Sequence, residues 1–310
     1  RLIDRPGPSL WRADGPKQLY LVSLSTTALG HGPALTASAL IPDLHYFRGS
    51  FGARDVIPLY RDSEARNPNV TPGLLKELST ALNIDVTAAQ LATYVYAALA
   101  QSGYTERFEQ DLEACEVRVP ITKDQHLFMR GCEIGRRLIL WHTFGERFGP
   151  DDQSIEIPQG EARSIRSVST APEAYPEDFS YDVDTSTLRV GGGTFAPVSR
   201  EVWEFQVSGL RVVHSWLGYR MRIRQGRRSS PLDDIQPSSW TPEFTSELLR
   251  VLWIIEATLA TYPAQAELLD AIMDGPVFDA DELPKPSDMD RKAPGEVGTL
   301  FSPDGEEGSA

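Results

Sequence analysis

Thr241-Pro242 opens the most constraining stretch of this 310-residue chain. A capping threonine and a proline suited to the first helical position precede Phe244, Leu248, Leu252, Ile255 and Leu259. Their spacing of three or four residues lines one face of a helix. Upstream the period is different. Tyr181, Val183, Leu188 and Val190 alternate with polar residues around Asp184 to Ser186, the pattern of a hairpin with one buried face. A chain with both periods is expected to be α+β.

The remaining elements follow from the same signals. Gln18 to Leu24 and Val56 to Tyr60 are expected strands, punctuated by Gly30, Gly32, Pro33, Gly49 and Gly52. Thr71-Pro72 predicts a helix start before Leu74, Leu75, Leu78 and Leu82, and Thr87 with Gln90 forms a capping box for the next helix, which Gly103 would stop. Tyr104, Phe108 and Leu112 predict a short third helix, and a fourth starts near Asp124. Residues 151–178 read as loop with one possible strand, Val202 to Val207 as a strand, and Leu268 to Met273 as a last helix. The expected organisation is a strand-rich connector (1–62), a helical layer leading into a mixed α/β half (63–278), and a disordered acidic tail (279–310). Pro, Asp, Glu and Gly crowd that tail, with too few apolar residues to offset the entropy of ordering.

Composition excludes a wholly disordered chain, since 41% of residues are hydrophobic. There is no apolar run of membrane-spanning length and no signal-peptide pattern at Arg1-Leu2-Ile3-Asp4. Cys115 and Cys132 are too few for a zinc cluster or a disulfide framework, so a protein of the reducing cytoplasm is expected. The opening Arg-Leu-Ile-Asp-Arg-Pro reads as the middle of a longer polypeptide.

Catalytic motifs are missing from the sequence: no Gly-x-Ser-x-Gly elbow, no His-Glu-x-x-His and no phosphate loop. Gly191-Gly192-Gly193 lacks the Lys-Ser/Thr of such a loop and reads as a turn. His31, His45, His126, His142 and His214 show no ligand spacing, and His142 with Glu146 reads as a surface pair one helical turn apart. No metal or cofactor is expected in this chain.

The positive signal is charge. The net charge is −14, and residues 274–310 carry half of it, with ten acids and three bases. Between Arg200 and Ser230 seven arginines face two acids. If Arg220 to Arg224 is extended, Arg220, Arg222 and Arg224 share one face while Met221 and Ile223 point inward. Gln225-Gly226 then turns the chain, and Arg227, Arg228, Ser229 and Ser230 add donors. Guanidinium forks suit phosphate oxygens and the O6/N7 edge of guanine. From these residues alone two readings stay open: a nucleic-acid contact, or a solvated face neutralised by acids such as Asp233 and Asp234. Arg130, Arg136 and Arg137 form a weaker patch on the fourth helix, for which an exposed helix face is the simpler reading. Trp203, Phe205, Trp216 and Tyr219 suggest core packing, with Trp216 or Tyr219 able to stack on a base.

Two stretches resemble a known family. Pro42-Asp43-Leu44-His45-Tyr46-Phe47-Arg48-Gly49-Ser50-Phe51-Gly52, followed by Val56-Ile57-Pro58-Leu59-Tyr60, is similar to the segment after the methyltransferase core in type ISP restriction-modification enzymes. Trp203 to Arg220, Ser230 to Ile235 and the helix from Pro242 resemble their C-terminal specificity domain. The resemblance runs from about Arg1 to Phe278. It implies double-stranded DNA as partner and target recognition rather than catalysis. It also implies upstream nuclease, helicase and adenine-N6 methyltransferase domains that use ATP, Mg and S-adenosylmethionine.

The expected DNA contacts are Arg220, Arg222, Arg224, Arg227, Arg228, Ser229, Ser230, Trp216 and Tyr219, with Arg48, Arg130, Arg136 and Arg137 as secondary candidates. Alternatives are a fragment contributing to methyl transfer itself and a protein-interaction module that uses the same arginines.

Overall fold

A computed structural model describes residues 8–23, 32–42, 55–113, 117–148, 156–222 and 237–292. After a short helix α1 (Pro8–Ala13), strands β1 (Tyr20–Ser23), β2 (Leu35–Ser38) and β3 (Asp55–Pro58) make an antiparallel sheet in the order β2-β1-β3. Helices α2 (Leu74–Leu82), α3 (Ala88–Leu99), α4 (Ser102–Arg107), α5 (Glu109–Glu113) and α6 (Gln125–His142) follow. The second half holds β4 (Arg163–Arg166), a 3-10 turn at Pro172–Ala174, β5 (Phe179–Asp182), β6 (Thr187–Val190), β7 (Gly193–Ala196), α7 (Arg200–Glu204), β8 (Gln206–Val207), β9 (Leu210–Arg211), α8 (Val212–Gly218) and α9 (Pro242–Asp274). Its main sheet is antiparallel in the order β4-β7-β6-β5, and β8 pairs with β9. The α+β class expected from sequence is the one observed.

Local signals explain many of these elements. Thr87 Oγ1 accepts from the Gln90 N–H while Gln90 Oε1 accepts from the Thr87 N–H, the reciprocal capping box. Asp124 caps α6 through the Leu127 N–H, and Thr241 caps α9 through the Phe244 N–H. The hairpin forms as expected, with Tyr181 opposite Leu188 and Asp182 opposite Thr187. Asp182 Oδ1 accepts from the Asp184 and Thr185 N–H groups to close its turn.

Other expectations are corrected. α2 begins after Gly73, which takes a left-handed conformation (φ 84°), and Thr71 supplies a turn carbonyl to the Leu74 N–H instead of a helix cap. α3 ends at Ala100, so Gly103 lies inside α4, and the third helix divides at Phe108 into α4 and α5. Val202 to Glu204 is helical, because Ser199 Oγ caps the Val202 N–H and Arg200 bridges Glu204 one turn on. Only Gln206 and Val207 of that run are strand. The two helices expected after Thr241 are one, with Pro263 inside it. Its length of 33 residues gives a rod of about 50 Å.

That rod joins two cores. Its first half, with Leu248, Leu252 and Ile255, packs on the second sheet beside Leu188, Phe195, Trp203 and Val213. Its second half, with Leu268 and Ile272, packs among α2, α3 and α6 beside Leu78, Tyr94 and Phe128. The first sheet shares a third cluster with the helices, where Leu19, Leu21 and Leu35 meet Ala92, Leu99 and Ile139. Among the described residues, the first sheet thus shares its core with the helices that follow position 62. At the seam, buried Gln265 donates to the Ala97 and Ala100 carbonyls, satisfying groups that the end of α3 leaves open. α3 and α6 approach closely at Gly135, where an added Cβ would lie 1.8 Å from the Thr93 carbonyl oxygen. Of the acidic tail, residues 279–292 sit on the body, with Arg61 donating to the Asp290 and Lys292 carbonyls, and residues 293–310 lie outside the described residues.

Candidate nucleic-acid interface

The arginine-rich run begins where α8 ends. The Arg220 and Met221 N–H groups both reach the Leu217 carbonyl, so the chain is still winding at Arg220 and is not extended there. This corrects the expected period-2 face. Arg220 turns inward and Arg222 outward. Met221 is buried, as expected.

Arg220 is held from several sides. Its guanidinium carbon lies 3.7 Å from the Trp216 ring centroid and 5.2 Å from that of Phe244. Nη2 meets Glu247 Oε2 at 3.0 Å and Nη1 donates to the Trp216 carbonyl at 3.3 Å. Burial lowers its pKa and Glu247 opposes the shift, which leaves a charged group whose fork is committed inside the protein. Beneath it Trp216, Trp240 and Phe244 meet edge to face, with centroids 5.4 to 6.4 Å apart. Trp240 is fully buried, and its indole N–H donates to Thr245 Oγ1.

Arg222 differs. Its N–H donates to the Pro176 carbonyl at 2.7 Å, which ties the backbone to the start of β5, while half of its side chain is exposed, 3.7 Å from Glu177. An exposed pair at that distance is weak. Tyr219 is 54% exposed. Arg224, Arg227, Arg228, Ser229, Ser230 and Arg48 lie outside the described residues.

The secondary patch is engaged within the protein, two of its three arginines by acids. Arg130 bridges Glu267 at 3.0 Å, Arg137 bridges Glu133 at 3.3 Å, and Arg136 donates to the Phe148 carbonyl. Trp203 is core, stacked on Tyr181 at 5.1 Å with His214 at 4.2 Å and the Arg211 guanidinium at 5.3 Å.

Two clefts flank this region. One, of about 390 Å³, lies between the first sheet, α6, α8 and α9, with Trp141, His142, Trp216 and Ile255 in its wall. His142 is no surface partner of Glu146. Tyr96 Oη lies 2.6 Å from Nδ1, and Nε2 lies 2.9 Å from Thr258 Oγ1, whose own hydrogen goes to the Ile254 carbonyl. That chain of donors fixes the Nε2–H tautomer. Burial pushes the imidazole down to about 4, so it is neutral. The other cleft, of about 580 Å³, is acidic, lined by Glu106, Glu109, Glu113, Glu201 and Glu204. Such a wall repels a polyanion. Among the described residues no cluster of His, Cys, Asp and Glu is arranged to hold a metal ion, and no helix is long and apolar enough to cross a membrane.

The fold has counterparts among solved structures. Over 92% of this chain and 17% of the other, it is similar to the ATP-dependent Type ISP restriction-modification enzyme LlaBIII bound to DNA (TM-score 0.55, 15% identity). Over 85% of this chain and 25% of the other, it is similar to DrdV in a cryoEM DrdV-DNA complex (TM-score 0.52, 16% identity). At these identities the likeness is one of fold, and the chain spans a quarter or less of either protein. No curated protein matches the chain. The family match is more specific, covering residues 1–251 with the Type ISP C-terminal specificity domain. By that match, which includes all three sheets and the start of α9, the chain belongs to the Type ISP C-terminal specificity domain family.

Proposed function

We propose that this domain grips double-stranded DNA and specifies the site at which attached activities work. Membership of the specificity-domain family carries this reading, and the DNA complexes of LlaBIII and DrdV, similar in fold, support it. Arg220 acts as an anchor: its stacking on Trp216 and its bridge to Glu247 hold the root of the segment that carries Arg222, Arg224, Arg227, Arg228, Ser229 and Ser230. Those six residues make the phosphate and base-edge contacts, and Tyr219 stands beside them as a stacking platform. In the parent protein, an adenine-N6 methyltransferase, a helicase and a nuclease would be attached. S-adenosylmethionine, ATP and Mg serve those domains in the bacterial cytoplasm.

Selection of duplexes from a random pool by the purified chain at two salt concentrations tests the reading. Phosphate contacts weaken steeply with salt while base readout persists. Enrichment of one asymmetric motif at both concentrations is the expected result. Recovery of no motif at either would overturn a self-sufficient recognition role.

A further inference from the structure

The outward face of the four-stranded sheet carries a feature that the arginine-rich run does not include. Ser180, Arg189, Thr194 and Arg166 are paired in register across β5, β6, β7 and β4. Their neighbours Leu188, Val190 and Phe195 are buried on the other face, so this row faces solvent. Arg166 and Arg189 stand two strand spacings apart, about 10 Å.

Arg166 reaches that row through a β-bulge. Ser164 pairs with Phe195, yet the next pair is Arg166 with Thr194, so Ile165 is the extra residue. In a regular strand Arg166 would share the face of Ser164 and Phe195 and point into the core. The bulge turns it outward and leaves Ile165 68% exposed. A device that exposes both an isoleucine and a cation gives no packing benefit. Among the described residues, moreover, neither the Arg166 nor the Arg189 side chain makes a hydrogen bond or an ion pair. The nearest acid, Asp182, sits diagonally across from Arg189 on the same face and attracts it without an ion pair, its oxygens being engaged in closing the hairpin turn, while Glu177 faces Arg222. Two cations flanking one threonine repel each other unless an anion lies over them.

The location is also telling. Gly191, in the β6–β7 turn, donates its N–H to the Asp178 carbonyl and abuts Pro176, whose carbonyl holds the Arg222 N–H. Arg189, Arg166 and Arg222 therefore gather at one end of the sheet.

We infer that this end of the sheet face is a second phosphate-contacting surface, with Arg166 and Arg189 as its cations and the backbone of duplex DNA as its ligand. The inference rests on the DNA-binding reading above. The separation of about 10 Å, with the reach of two flexible side chains, leaves room for each guanidinium to meet its own phosphate.

The test uses the whole 310-residue chain and a salt series with one short duplex. Replacing both residues (R166Q with R189Q) should weaken binding to every sequence at least about tenfold and lower the log–log salt slope by about two, one for each lost contact. Arg66→Gln, which removes an exposed arginine paired with Glu64, should change neither. Thr194→Lys adds a cation within the row and should raise the slope by about one, a gain that misfolding cannot imitate. An unchanged slope in the double variant, no gain in Thr194→Lys, or an equal loss in Arg66→Gln would overturn this surface while leaving the domain's DNA binding intact. Failure of the unmodified chain to bind any duplex would remove both readings.

Discussion

On α6, Arg130 meets Glu267 and Arg137 meets Glu133, whereas on the second sheet the side chains of Arg166 and Arg189 face solvent without an ion pair among the described residues, Arg189 feeling Asp182 only at longer range. Both regions are rich in arginine. Coulomb energy depends on distance through space, so the useful quantity is the charge left after the fold has placed its acids. By that measure Arg130 and Arg137 are spent, whereas Arg166 and Arg189 are left without an ion pair among the described residues. Arg220 stands between these cases, on the sheet side but neutralised by Glu247 and stacked on Trp216. It shows how a cation can be structural inside the patch proposed to contact DNA.

The contrast can be broken most severely at the aromatic floor. Trp240→Ala should destabilise the sheet half by about 3 to 5 kcal/mol through the cavity it leaves, and remove DNA binding as the Arg220 anchor loosens. Denaturant unfolding followed by duplex titration checks both. The next effect is a pH dependence in the helical half. The unfolded chain protonates His142 near 6.5, but the folded one does so only near 4, so stability is lost as pH falls through that window. The loss is on the order of 3 kcal/mol and flattens below about 4. His142→Gln should remove most of this slope in melts taken across the window. His214, whose pKa burial and Arg211 also lower, leaves a remainder of the same sign.

Smaller effects sharpen the comparison. Glu247→Gln leaves the half-buried Arg220 unpaired and should cost about 1 kcal/mol, limited because Glu247 is itself partly in water. It should also lower DNA affinity, since the anchor weakens. A rise in affinity with a steeper salt slope would mean that Arg220, once freed, contacts phosphate directly. On the helical side, Glu267→Gln should change stability by less than about 0.5 kcal/mol, because the Arg130 pair is exposed. It should leave binding unchanged in the same titration.

Local signals were legible wherever a short window held the whole cause. The Thr87–Gln90 box, the caps at Asp124 and Thr241 and the Asp184–Ser186 hairpin all form as the sequence predicts. The run Val202 to Val207 misled because its alternation competed with a serine cap two positions upstream of Glu201. The separate last helix expected at Leu268 to Met273 is the end of α9, which runs on through Pro263. Within the candidate site, Met221 was placed correctly, but Arg220 was given a face it does not have.

The sequence by itself determined the α+β class, the main helix starts and the family, since each rests on contiguous residues or nearest-neighbour periods. Only the tertiary structure decided which arginines stay charged toward solvent. Arg130 finds Glu267 across 137 positions and Arg220 finds Glu247 across 27, by the packing of whole elements. A single extra residue at Ile165 turns Arg166 from the core face to the open one. Periodicity is a property of neighbours along the chain, but neutralisation and register belong to neighbours in space.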